Sequence, residues 1–378
     1  MIVPGFKAAG AAAGIKKQGG LDVALIVAEE PAAAAGVFTR NRIKAAPVLV
    51  CRRRLRRRQA QAILINSGNA NACTGEAGLA AARQTCREAA RLLHLQESLV
   101  LPASTGVIGQ PLPKEKIIAI LPELAARLRP EGLEEAARAI MTTDTRPKIA
   151  HARMDLGGVS VTVAGIAKGA GMSPGVLPVF LRKAVNHSFN RISIDGDTST
   201  NDMVLVLAGG QAGNAPLDGK DRSSEAFQEM LTGVMQDLAK QIVADGEGAT
   251  RATRVFRLVV KGAATPAEAR KAAAVVATSP LVKTAMAGAD VNWGRLMAAL
   301  GRSGARFDPD RVDIAFGPHP VVQASQGLGA QAEAAARDLI LAGSFTITID
   351  LNHGPFSDYY DTCDLTADYV RINASYRT

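Results

Sequence analysis

Short runs rich in Val, Ile and Leu alternate with alanine-rich helical stretches along most of this 378-residue chain. That alternation limits the fold to layers of sheet and helix, an α/β or α+β architecture. DVALIVA (from Asp22), APVLVC (from Ala46), QAILIN (from Gln61) and SLVLPAS (from Ser98) read as strands. GVSVTVAGIA, RISID, MVLVLAG, RVFRLVV, VDIAF, FTITID and ADYVRIN read the same way further along. Helical stretches are predicted over Glu76–His94, Lys114–Leu128, Leu133–Met141, Val176–His187, Ser223–Ala244 and Trp293–Leu300. Thr265 is placed to cap a further alanine-rich helix. No fixed-period repeat is present.

Aromatics are only 4% of residues, with one Trp (Trp293), while 47% are hydrophobic. The core must therefore be built from Ala, Val, Leu and Ile, and a base-stacking platform is not expected. The net charge is +9, but six arginines lie in one run: Arg52, Arg53, Arg54, Arg56, Arg57 and Arg58. Without them 38 basic residues face 35 acidic ones, so the basic balance is local. A solvated loop explains the run better than a nucleic-acid patch, since no nucleic-acid motif accompanies it. Cys51, Cys73, Cys86 and Cys363 form no CxxC pair and sit beside no histidine at ligand spacing, so reduced thiols and no metal are expected. The start, MIVPGFKAAGAAAGIKK, is too weakly apolar for a signal peptide, and no run is long enough to span a membrane. A cytoplasmic protein is expected.

Several stretches carry small polar residues and glycine where a core would want bulk. NSGNANACTGEAG (Asn66–Gly78) suits either a turn into a helix or the lining of a site. In PASTGVIGQPLP (Pro102–Pro113), Ser104-Thr105-Gly106 can converge a hydroxyl and a backbone N–H on one point, as an oxyanion hole requires. Ordinary β-turns use the same residues. MTTDTRPK sets three threonines around Asp144 at a helix end, which capping would explain. In GIAKGAGM, Lys168 can supply positive charge beside glycines that let backbone approach a ligand; the phosphate-loop order is absent. SIDGDTSTND lacks the bidentate Glu of a calcium loop and reads as an Asx/ST turn between strands. DGEGAT holds Glu247 between glycines, either to meet a substrate amine or as a solvated helix end.

In this order the blocks resemble the bifunctional glutamate N-acetyltransferase / ornithine acetyltransferase family of arginine biosynthesis. The likeness runs from GFKAAGAAAGIKK through NSGNANACTG, ASTGVIG, AIMTTDT, IAKGAGM, SFNRISIDGDTSTND, DGEGATR and SPLVKTAMAGADVNWGR to CDLTADYVRINASYRT. It implies a helix–sheet–sheet–helix sandwich with a second, smaller α/β region at roughly 220–345. It implies acetyl transfer from N-acetyl-L-ornithine to L-glutamate by a ping-pong route, with acetyl-CoA a possible donor and no other cofactor. Residues 1–172 would correspond to the α chain and 173–378 to the β chain of a self-cleaving precursor. Two copies of each would assemble as a heterotetramer. By the same resemblance Thr105 and Gly106 are the oxyanion-hole pair, and Thr145, Lys168, Glu247, Asn373 and Thr378 contact substrate.

One departure stands out. The family follows KGAGM with a segment of the type APNMATML, which holds the scissile Ala-Thr bond and the nucleophilic threonine. Here Met172 is followed at once by Ser173-Pro174. Either residues of the natural protein are missing at that point, or a deletion has left an uncleaved relative that binds ornithine or acetylornithine without turnover, or Ser173 substitutes. Ser173 lacks the scissile context, and a misplaced nucleophile loses its advantage.

Overall fold

The structure, a computed structural model, describes residues 2–156, 158–166, 176–246 and 254–374. It divides into two units, Met1–Phe189 with Thr198–Leu238, and Asn190–Asp197 with Ala239–Thr378. The boundary expected at 172/173 falls outside the described residues.

The first unit opens with β1 (Phe6–Ala11), β2 (Val23–Phe38) and α1 (Ala46–Arg54). There follow β3 (Gln59–Asn69), α2 (Gly75–Leu92), β4 (Val100–Val107), α3 (Lys114–Ala126) and α4 (Leu133–Ala139). Next come β5 (Ile149–Asp155), β6 (Ser160–Ile166) and α5 (Leu177–Asn186). After β7 (Ile192–Ser193), which belongs to the second unit, come β8 (Met203–Ala208) and α6 (Arg222–Ala244). The main sheet runs β1-β2-β3-β4, with β8 paired to the far half of β2; β5 and β6 form a separate hairpin. Successive side chains of a strand point to opposite faces. Ala9, Ala11, Leu25, Leu64 and Val100 accordingly pack on α2 and α3. Ala8, Ala24, Ile63, Ile65 and Leu101 pack with α4 and Ile166 of β6. The long β2 stays continuous across a bulge between Val27 and Ala32, where the Gln61 amide donates to Ala28 O and Glu29 O. Alanine is the commonest buried residue on both faces, in keeping with the shortage of aromatics.

The second unit continues with β9 (Val255–Ala263), α7 (Pro266–Ala277), α8 (Pro280–Ala287) and α9 (Trp293–Gly301). It goes on through β10 (Asp313–Phe316), β11 (His319–Gln323), β12 (Gln326–Gly327) and α10 (Ala330–Leu341). β13 (Ser344–Asp350), β14 (Phe356–Cys363) and α11 (Ala367–Ala374) complete it. Its mixed sheet has the order β12-β11-β10-β13-β9-β14-β7. Phe256, Leu258, Ile347 and Ile349 bury against Val276, Leu296 and Ile340. Thr265 caps α7, its hydroxyl accepting from Glu268 N–H at 3.2 Å.

Two expected strands are helices. APVLVC begins α1, with Pro47 in its first turn and Val48 and Cys51 buried on one face. A six-residue apolar run does not separate strand from helix, and Pro in the first turn, where its missing N–H costs no hydrogen bond, supports the latter. ADYVRIN is α11, which buries none of its residues and carries an Asp368–Arg371 pair one turn apart at 2.8 Å. The arginine run is also more than a solvated loop. Arg52–Arg54 form the last turn of α1, where cations complement the helix end. Arg54 is largely buried, bonded to Val100 O and to Glu97 Oε1. All four cysteines are free thiols, and burial pushes Cys86 up to about 11, against the opposing pull of Arg54.

Candidate active site

β3 and β4 run parallel and finish side by side, with Ser67 opposite Thr105 and Gly68 opposite Gly106. Two of the polar motifs are thereby brought to one strand end. Gly106 has φ +133°, and a Cβ there would lie 2.3 Å from Gly68 C and 2.5 Å from Asn69 N. Only glycine fits, so the backbone of Gly106 can lie flush against its neighbour. The ladder shifts register at Gly68–Asn69, which ends regular pairing beside the turn. Thr105 is half-buried, and its hydroxyl has no hydrogen-bond partner among the described residues.

Buried asparagines hold this strand end. Asn66 Oδ1 accepts from Ser104 Oγ at 2.6 Å, and its Nδ2 donates to Asn69 O at 2.8 Å. Asn201, from the SIDGDTSTND stretch, donates to both Ala70 O and Ser104 O at 2.7 Å. The turns of that stretch bond to themselves as well: Asp197 N–H donates to Asp195 Oδ1 at 2.8 Å and Asn201 N–H to Ser199 Oγ at 3.1 Å.

A second wall comes from the loop after β1. The fully buried Asp22 accepts from the backbone N–H groups of Ala13 (2.6 Å), Ile15 (2.5 Å) and Lys16 (3.2 Å). Its own carbonyl accepts from Ser67 N–H at 2.8 Å, which fixes the loop to β3. Ile15 and Lys16 thus lie over Gly68, both close enough to touch a side chain placed there. Lys16 is half-buried, and its ammonium donates to Leu21 O at 2.7 Å. Burial lowers its pKa from the usual lysine value, partly countered by Asp22 and Asp144.

A third wall follows α4. Ser67 Oγ donates to Ala139 O at 2.5 Å, tying the helix end to the same strand. Beyond it Asp144 accepts from Thr142 N–H at 2.8 Å and pairs with the buried Lys148. Burial works against ionisation of Asp144, but the Lys148 charge and the hydrogen bonds outweigh it and hold the carboxyl below its ordinary value. Capping is not its role, since α4 ends at Ala139.

Of the residues singled out from sequence, Thr105 and Gly106 share the strand end, and Thr145 is exposed on the loop carrying Asp144. Asn373 belongs to the second unit, exposed on α11, with its amide donating to Tyr369 O at 3.0 Å. In that unit Tyr369 Oη also donates to Asp195 Oδ2 at 2.9 Å. Lys168, Glu247 and Thr378 lie outside the described residues, as does Ser173. Sequence reading gave no role to Asp22 or Lys16, and it marked Asn66 and Asn201 only as members of their polar stretches. Asp22 opens an otherwise apolar strand run, which was the available signal. A cavity of about 480 Å³ elsewhere in the first unit, lined by Phe6, Ile26, Val161, Leu205 and Phe227, does not include Thr105, Gly106 or Thr145. Among the described residues no helix is long and apolar enough to cross a membrane, and no three His, Cys, Asp or Glu gather as a metal site.

Comparison with known proteins agrees with this architecture. The protein from Symbiobacterium thermophilum named arginine biosynthesis bifunctional protein ArgJ is 48% identical over 394 aligned positions, 99% of this chain and 97% of that one. The protein of the same name from Syntrophotalea carbinolica is 45% identical, covering 100% and 99%. Both alignments exceed the 378 residues of this chain, so each relative carries at least 16 residues that it lacks. A crystal structure of arginine biosynthesis bifunctional protein argJ from Bacillus halodurans superposes with a TM-score of 0.52 at 42% identity, over 55% of this chain and 98% of that one. The ArgJ family pattern matches residues 7–378, and the chain belongs to the ArgJ family.

Proposed function

We propose that this protein is an N-acetyltransferase of arginine biosynthesis that moves an acetyl group from N-acetyl-L-ornithine to L-glutamate. The pairing of Ser67-Gly68 with Thr105-Gly106 carries the assignment, within a chain similar over its full length to bifunctional arginine-biosynthesis proteins. A hydroxyl nucleophile adds to the acetyl carbonyl, whose oxygen takes up negative charge. In this reading the Thr105 hydroxyl and the Gly106 backbone N–H donate to that oxyanion, from a strand end held by the Ser104–Asn66 and Asn201–Ser104 hydrogen bonds. Collapse expels ornithine after its nitrogen gains a proton and leaves an acyl-enzyme. The glutamate amine then takes the acetyl group and returns the hydroxyl. The nucleophile is assigned to no described residue.

Thr145, Lys168, Glu247, Asn373 and Thr378 are assigned to substrate contact in this reading. Lys168 is assigned to a substrate carboxylate and Glu247 to the ornithine ammonium. Acetyl-CoA serves as an alternative donor, and no further cofactor takes part. The enzyme works in the cytoplasm on small-molecule substrates, as a heterotetramer if the chain is cut.

The test supplies purified protein with N-acetylornithine and glutamate and follows N-acetylglutamate by mass spectrometry, alongside an intact mass of the chain. Product formation is expected. Absence of product together with a single uncut chain would overturn the assignment.

A further inference from the structure

Glutamate carries two carboxylates where N-acetylornithine carries one, so an acceptor site for glutamate needs a second cation. Lys16 has the properties of that cation. Its backbone and side chain lie against Gly68, the residue paired with Gly106 at the proposed oxyanion turn. Its position is enforced, because the buried Asp22 grips the amides of Ala13, Ile15 and Lys16 itself. Asp22 spends both oxygens on those amides and forms no ion pair with the Lys16 ammonium. That ammonium makes one hydrogen bond, to Leu21 O, and pairs with no carboxylate among the described residues. An ammonium has three donors, so two are left for a ligand. The neighbouring Asp144 is engaged by Lys148 and so does not neutralise Lys16 by contact.

Resting on the acetyltransferase reading above, we propose that Lys16 is a specificity-determining residue that binds the additional carboxylate of the acceptor glutamate. The side chain is half-buried, which strengthens a charge-assisted hydrogen bond relative to open solvent. A neutral replacement is expected to leave the fold intact, because the loop is held by Asp22 through backbone amides, which no side-chain change at position 16 removes.

Calorimetric binding of glutamate and of N-acetylornithine to wild type, Lys16→Met and Lys16→Arg tests this. Lys16→Met is expected to weaken glutamate binding about 10- to 100-fold, the worth of one hydrogen bond to a charged group, and to leave N-acetylornithine unchanged. Lys16→Arg is expected to restore most of the glutamate affinity. In turnover the effect falls on KM for glutamate and not on kcat. Wild-type glutamate affinity in Lys16→Met, or equal losses for both ligands, would overturn the role of Lys16. Wild-type protein that binds neither compound would instead refute the acetyltransferase reading, and the proposal with it.

Discussion

Gly106 lies so close to Gly68 that a single methyl group on it would fall 2.3 Å from the Gly68 carbonyl carbon. The two strand ends can touch only because position 106 lacks a side chain. Gly106→Ala must therefore either push β4 away from β3 or abandon φ +133°. We expect a loss of about 2–3 kcal/mol, combining strain at a positive φ with overpacking. Urea unfolding measures it, and unchanged stability would mean the strand ends are looser than described. Gly68→Ala should cost less, since its nearest contacts are side-chain and backbone atoms of Ile15 and Lys16 at 3.2–3.4 Å.

Replacing Asp22 by Asn removes an acceptor from a carboxylate that binds three amides and puts an N–H where an acceptor was. Hydrogen bonds to a charged group contribute about 1.5–3 kcal/mol, and orphaning one buried amide adds to the loss. A destabilisation of about 3 kcal/mol is expected, with faster hydrogen exchange at Ala13, Ile15 and Lys16. Exchange unchanged at those three amides would refute the anchoring role.

The Asp144–Lys148 pair makes stability depend on pH. The carboxyl has a folded-state pKa below its unfolded value, so its contribution is complete above the ordinary Asp value of 3.8 and is lost as pH falls through the lower folded value. In Lys148→Met the burial that opposes ionisation remains while the cation is gone, so the Asp144 pKa should rise. Leaving a partly buried carboxylate without its partner should cost about 2 kcal/mol at neutral pH, less than for a fully buried pair because Asp144 is partly exposed. Carboxyl-carbon NMR titration of both proteins checks the direction; a fall in the Asp144 pKa would show that Lys148 is not its main partner.

Lys283 is almost wholly buried in the second unit, donating to Thr362 Oγ1 at 2.9 Å and to Cys363 O. Burial lowers its pKa below the usual lysine value, with Cys363, Asp364 and Asp195 pulling the other way. The unfolded chain therefore binds the proton more tightly, and stability from this group rises as pH climbs from the folded pKa towards 10.5. Lys283→Ala removes both hydrogen bonds and leaves a cavity, for an expected loss of about 3–5 kcal/mol. Loss of that rising alkaline limb in the variant, followed by denaturant midpoints across pH 8–11, separates the charge effect from the cavity; a limb that persists would assign it to another group.

Local pattern was enough to place most elements. The apolar run QAILIN, buried on both faces, became β3 and the alternating run FTITID became β13, because β-branching and alternation act within a few residues. The helix at Gly75–Leu92 and the Thr265 cap were readable for the same reason. APVLVC misled because its burial is decided by β4 and α2 packing around it, not by its own period. Thr105-Gly106 was marked as a site by residue type and family likeness. What type could not show is that Gly68 lies opposite Gly106, that Asp22 grips the loop bearing Lys16, or that Asn201 reaches Ser104 across 97 residues of chain. Composition and order of side chains set the alanine-built sheets and the family. The unpaired Lys16 ammonium beside the turn exists only once distant segments have been packed, since charge pairing depends on neighbours in space and not in sequence.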